Sequence, residues 1–121
     1  MTQSAALFPY PTTIVDLIAL IRLRPGMWIG GHSISRLRIF IDGWFFGREC
    51  QYASDNPGHT LPHDQDILGE FTTWLQERHD LPTMSVRWDY YLLMVEPDEE
   101  SALDLFFSEF DEYLSSQQHK H

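Results

Sequence analysis

The densest chemistry in this sequence is carboxylate: residues 96–112 carry eight acidic side chains and no basic one. At helical spacing Glu100, Asp104 and Asp111 fall on one stripe, with Glu109 and Glu112 on a neighbouring one. Such a surface either docks a cationic partner or simply keeps the chain solvated. General acid–base work would need two of these groups in contrasting environments, and the spacing selects no pair. His59 and His63, with Asp64 and Asp66 nearby, would converge on a metal only on a helix, and Pro62 between them argues for a loop. Cys50 lies near Phe45, Phe46 and Tyr52, so a buried, inert thiol is expected. As the only cysteine it can close no intramolecular disulfide. The strand–turn–helix elbow Gly-x-Ser-x-Gly is absent. These residues point away from catalysis, and no metal or cofactor is expected.

Charge sharpens the choice of partner. Eighteen acidic against eight basic residues give a net charge of -10, which disfavours nucleic acid and anionic membrane and favours a basic protein. The imbalance is local. Residues 1–48 hold five arginines and two aspartates, a surplus of +3, while residues 49–121 hold three basic and sixteen acidic residues, a surplus of -13. The halves should pair across the fold, yet pairing cannot neutralise the second, and an acidic surface must remain. A second copy of the chain also stays open as a partner.

The elements that must position these groups read as helices. With 121 residues, 43% hydrophobic and 14% aromatic, the chain is too apolar for a disordered acidic tail and has the size of one domain. A first helix is signalled by Thr13 and Asp16 at near capping-box spacing and by Ile14, Leu17, Ile18 and Ile21. Pro25 ends it near Arg24, and Arg24, Pro25, Gly26, Met27, Trp28 and Gly30 read as a rigid connector whose Gly26 takes the positive φ of a type II turn. Ser33 caps a second helix with apolar residues on nearly every side, Ile34, Leu37, Ile41, Trp44 and Phe45 among them, so it is expected at the centre of the bundle. A third, capped by Asp64, carries Ile67, Leu68, Phe71, Trp74 and Leu75 and stops around Asp80. Residues 85–95 fit both periods; a helix is preferred because a lone strand would leave its backbone unpaired. The last helix opens at Pro97 with Leu103, Phe106, Phe107, Phe110 and Leu114 inward. The expected fold is a single-domain, mainly α bundle of four or five helices over residues 1–121, with α+β, a strand at 85–95, as the alternative. The ends, 1–10 and 116–121, are expected to fray. A basic leader followed by an apolar run is missing from the first residues, and no apolar stretch reaches the length of a membrane span, so a cytoplasmic protein is expected.

Two resemblances follow from these motifs. The string from Arg24 to Gly30, set between two helices, resembles the Arg-Pro-Gly-Met-Tyr-Ile-Gly segment near the start of type II topoisomerase ATPase domains. In that family the following helix brings a Glu and an Asn to the nucleotide and its magnesium, and an Asp-x-Gly-x-Gly loop holds the adenine. Here that helix offers only Asp42, and no such loop occurs, so the resemblance implies the connector without the nucleotide site. A wider pattern adds Ser33, Leu37, Phe40, Gly43 and Trp44, then the acidic-capped run of Leu103, Phe106, Phe107 and Phe110. It is similar to small bacterial proteins, some of them immunity proteins of polymorphic toxin systems. The resemblance implies a non-enzymatic, cytoplasmic inhibitor that occludes a cognate toxin. An acidic helix suits the basic cleft of a toxin that acts on nucleic acid. The alternative is a structural or regulatory module that binds another protein.

Overall fold

The computed structural model describes residues 11–59 and 66–118. α1 (Ile14–Leu23) begins where Thr13, in extended conformation, accepts the Asp16 N–H on its hydroxyl at 3.1 Å. Its face of Ile14, Leu17, Ile18 and Ile21 is buried. Arg24 then leaves the α region at φ -149° and ψ 76°, as the residue before a proline must.

The connector departs from the expected turn. Pro25 opens a short helix, α2 (Pro25–Ile29), and Gly26 lies inside it without a positive φ. Proline at a first helical position loses only an N–H that would go unbonded anyway, and its preset φ suits one more turn. Gly30 is the left-handed residue, at φ 76°, and its N–H meets the Gly26 carbonyl at 3.2 Å. Ile29 is buried, Trp28 packs on the core and Met27 is exposed.

α3 (Ile34–Asp55) is capped by Ser33, whose hydroxyl accepts the Arg36 N–H at 3.3 Å. It buries Ile34, Leu37, Ile41 and Phe45, and nothing after Phe45. α4 (Asp66–Arg78) buries Leu68, Phe71 and Leu75; its expected cap, Asp64, lies outside the described residues. It ends in a Schellman motif with Asp80 left-handed at φ 52°, the Leu81 N–H on the Gln76 carbonyl at 2.9 Å and the Asp80 N–H on the Glu77 carbonyl at 3.3 Å. Residues 88–95 form α5 (Trp88–Val95), with Trp88, Tyr91 and Leu92 inward, so helix prevails over the strand alternative. The Tyr91 hydroxyl donates to the Pro82 carbonyl at 2.8 Å and accepts the Met84 N–H at 3.0 Å, which ties the preceding loop down.

α6 (Glu99–Gln118) starts two residues later than expected, because Asp98 and not Pro97 sets the boundary: its carboxylate accepts the Ser101 N–H at 2.9 Å. Of the end expected to fray, residues 116–118 belong to this helix and the rest lies outside the described residues. This helix, and not α3, is the hub of the bundle. It packs against α3, α4 and α5, and its Phe106 and Phe110 meet Phe71 edge-on at 5.7 and 5.2 Å while Trp88 lies 4.9 Å from Phe106. The protein is thus a small, mainly helical bundle, with six helices and no strand among the described residues. The count exceeds four or five because the connector is itself helical.

Candidate functional site

The acids of α6 do not form one outward face. Glu109 is buried, 4% exposed, with one carboxylate oxygen 2.8 Å from the Arg78 Nε and 2.6 Å from the His79 Nε2. Its expected place on a partner-facing stripe is therefore corrected: it lies on the side of α6 turned to the end of α4, where Arg78 and His79 supply the hydrogen bonds that a buried carboxyl group needs. Asp111 bridges to Arg22 of α1, whose guanidinium also lies 5.7 Å from the centre of the Phe107 ring. Asp104 meets the His32 Nε2 at 2.7 Å, tying α6 to the segment after α2. Glu99, which the stripe pattern passed over, accepts the Ser33 hydroxyl at 2.7 Å, the Ser35 N–H at 2.9 Å and the Ser35 hydroxyl at 2.8 Å. Those bonds, the Ser35 N–H first, hold its carboxyl below the usual range. Glu100 and Glu112 are exposed and have no cationic partner among the described residues.

Pairing across the basic and acidic halves thus occurs, through Arg22, His32 and the Arg38 guanidinium that reaches Asp42 at 3.1 Å and lies 3.6 Å from Asp89. It leaves a surplus of acid elsewhere. Between α4 and α6 runs a shallow groove of about 440 Å³ lined by Glu70, Thr73, Trp74, Glu77, Tyr113 and Gln117. The buried Tyr113 hydroxyl donates to Glu70 at 3.1 Å, and burial first, then this carboxylate, pushes its pKa up to about 12. Two exposed carboxylates thus flank two aromatic rings, an arrangement that receives a guanidinium or ammonium group. Trp74 already carries one cation on its ring, with Arg78 5.0 Å from its centre. The spacing of Glu70, Thr73, Trp74 and Glu77, three, four and seven apart, was the signal for this face, though nothing in the sequence said which helix would flank it.

The other candidates are placed as follows. Arg24, Pro25, Gly26, Met27, Trp28 and Gly30 build the α1–α2 connector, and the Arg36 side chain lies against it, so that a Cβ on Gly31 would come within 3.3 Å of it. Cys50 is exposed, not buried, because α3 continues past the last residue it packs inward. His63, Asp64 and the Asp66 side chain lie outside the described residues; among those described, no three His, Cys, Asp or Glu side chains gather to hold a metal ion. No described helix is long and apolar enough to cross a membrane. Comparison with protein-family models, curated proteins and solved structures found no match to this chain.

Proposed function

We propose that this protein is an acidic binding module for the basic surface of a protein partner, and specifically an immunity-type inhibitor that occludes a cognate bacterial toxin in the cytoplasm. One observation carries the reading. After the internal ion pairs are made, exposed acid persists beside the α4–α6 groove at Glu70 and Glu77 and elsewhere on α6 at Glu112 and Glu100. Carboxylates beside Trp74 and Tyr113 suit an arginine or lysine side chain, with the aromatic faces supplying contact area and the acids steering the approach. The proposed contact set is therefore Glu70 and Glu77 at the groove, with Glu100 and Glu112 as the exposed acids of α6 that steer the approach. Asp104 and Asp111 keep their roles in the fold. The module acts by covering a basic cleft and performs no chemistry of its own.

The test is protection. The chain is co-expressed in a sensitive host with any toxin domain encoded beside its gene, and survival is scored for wild type and for Glu77→Lys/Glu112→Lys, which leaves the Glu70–Tyr113 bond in place. Wild type is expected to protect. The charge-reversed variant should keep its melting temperature within a few degrees, since exposed substitutions usually move stability by less than about 0.5 kcal/mol each. Its association with the purified toxin should slow by about tenfold or more, and wild-type binding should weaken as salt rises from about 0.05 to 0.5 M. A folded wild-type chain that gives no protection would overturn the inhibitor reading.

A further inference from the structure

The α4–α6 groove turns its hydrogen-bond donors back on the protein and leaves acceptors toward solvent. The Tyr113 hydroxyl donates to Glu70 at 3.1 Å, the Thr73 hydroxyl to the Gly69 carbonyl at 3.4 Å and the Gln117 amide to the Ser116 hydroxyl at 3.4 Å. The Trp74 indole N–H makes no hydrogen bond among the described residues. Glu77 is exposed and likewise has no partner among them, so both of its oxygens are open. A ligand for such a groove must donate and need not accept. Guanidinium meets that demand with five N–H donors in a planar fork and no acceptor, whereas an ammonium group offers three donors from one point. The neighbouring cation does not compete for the site: the Arg78 Nε meets the buried Glu109 at 2.8 Å, which balances its charge. Phe71 and Arg78 already lie against Trp74, 6.0 and 5.0 Å from its ring centre. The ring therefore serves the apolar stem of a ligand, and the carboxylates read its head.

We propose that the groove selects arginine over lysine on the protein partner, the guanidinium forking onto both oxygens of Glu77 while Glu70, held by Tyr113, draws the positive charge in. Fork and carboxylate match in geometry, so two parallel N–H···O bonds form where an ammonium group makes one. Seven residues place Glu70 about 10 Å from Glu77 along α4, so it acts through its field and not as a second fork. Burial and the Glu70 carboxylate push the Tyr113 pKa up to about 12, which keeps the hydroxyl protonated and its bond to Glu70 in place at neutral pH. The inference rests on the reading of this groove as the contact for a basic partner, and it names the side chain that fills it.

The test needs no partner. The isotope-labelled full chain is titrated by NMR at low salt with N-acetyl-arginine amide, with its lysine counterpart and with the citrulline analogue, a neutral ligand of nearly the same shape. Arginine amide should move the Trp74 indole signal and the amides of 70–77 and 113–117. Lysine amide should bind about threefold or more weakly, and the citrulline analogue should leave the spectrum unchanged. Glu77→Gln keeps one acceptor and the Glu70–Tyr113 bond but loses the fork, so it should erase the preference for arginine while the melting temperature holds. Lysine binding as tightly as arginine overturns the proposal. So does an arginine preference that survives Glu77→Gln, or a response spread over the acidic surface with none at Trp74. The two readings fail separately: a chain that protects against its toxin without preferring arginine loses only this inference, and one that prefers arginine without protecting loses only the inhibitor reading.

Discussion

α3 and α6 are the two long helices of this bundle, 22 and 20 residues, and both are rich in large apolar side chains. They end up in opposite situations. In α6 the apolar residues Leu103, Phe106, Phe107, Phe110 and Tyr113 occupy one continuous arc, and the acids at its margins reach Arg22, His32, Arg78 and His79 on its neighbours. In α3 the apolar residues are divided between two opposed stripes, and a helix can turn only one of them toward the hub. Apolar content alone therefore misplaces the centre; what decides it is whether the apolar residues share an arc that several helices can cover together. The same contrast separates acids that bind the fold from acids that face solvent.

The sharpest way to break this comparison is to truncate one phenylalanine on each helix. Phe106→Ala, at 0% exposure within the aromatic cluster, should cost about 3 to 5 kcal/mol in urea unfolding, whereas Phe46→Ala should stay within about 0.5 kcal/mol. Equal losses would show that the outer stripe of α3 is packed. The acids come next. Glu109→Ala should cost about 2 kcal/mol, because Arg78 and His79 lose a partly buried partner, and Glu112→Ala should leave the unfolding midpoint nearly unchanged.

A stabilising change refines the picture further. Gly43→Ala places a methyl group in open space at a helix interior, so the protein should gain about 1 kcal/mol, visible as a higher melting temperature. The smallest effect expected is the pH response of the joint between α3 and α6. Glu99 has a folded pKa below its ordinary 4.5, so its contribution is complete above that value and is lost as pH falls through the lower, folded one. Melting temperatures of wild type and Glu99→Gln should therefore differ at pH 7 and converge on strong acidification. A constant gap would place the bonds to Ser33 and Ser35 outside the energetics of folding.

Much of the local structure was legible residue by residue. Thr13 and Ser33 cap helices, Pro25 ends α1, Asp80 lies at the stop of α4, and the inward sets of the five expected helices follow their spacing. These signals lie within a few residues of the features they specify, in side-chain bonds to nearby N–H groups and in the φ limits of proline. Even the error at Gly26 was local, since a proline followed five residues later by Gly30 is itself the mark of a short helix.

The partnership of faces was not legible. Spacing puts Glu109 and Glu112 at the edge of the same helix, three residues apart, but only the approach of the end of α4 buries one against Arg78 and His79 and leaves the other in water. Likewise Glu70 and Glu77 become walls of a groove only because Tyr113 and Gln117 of α6 come alongside. By itself the sequence determined which residues are helical, where most helices begin and end, and that acid must outnumber base on the surface. Tertiary structure alone decided which helix is central and which acids are used up, because a helix face acquires its environment from whichever neighbour packs across it, and that choice is made by the whole set of apolar arcs at once.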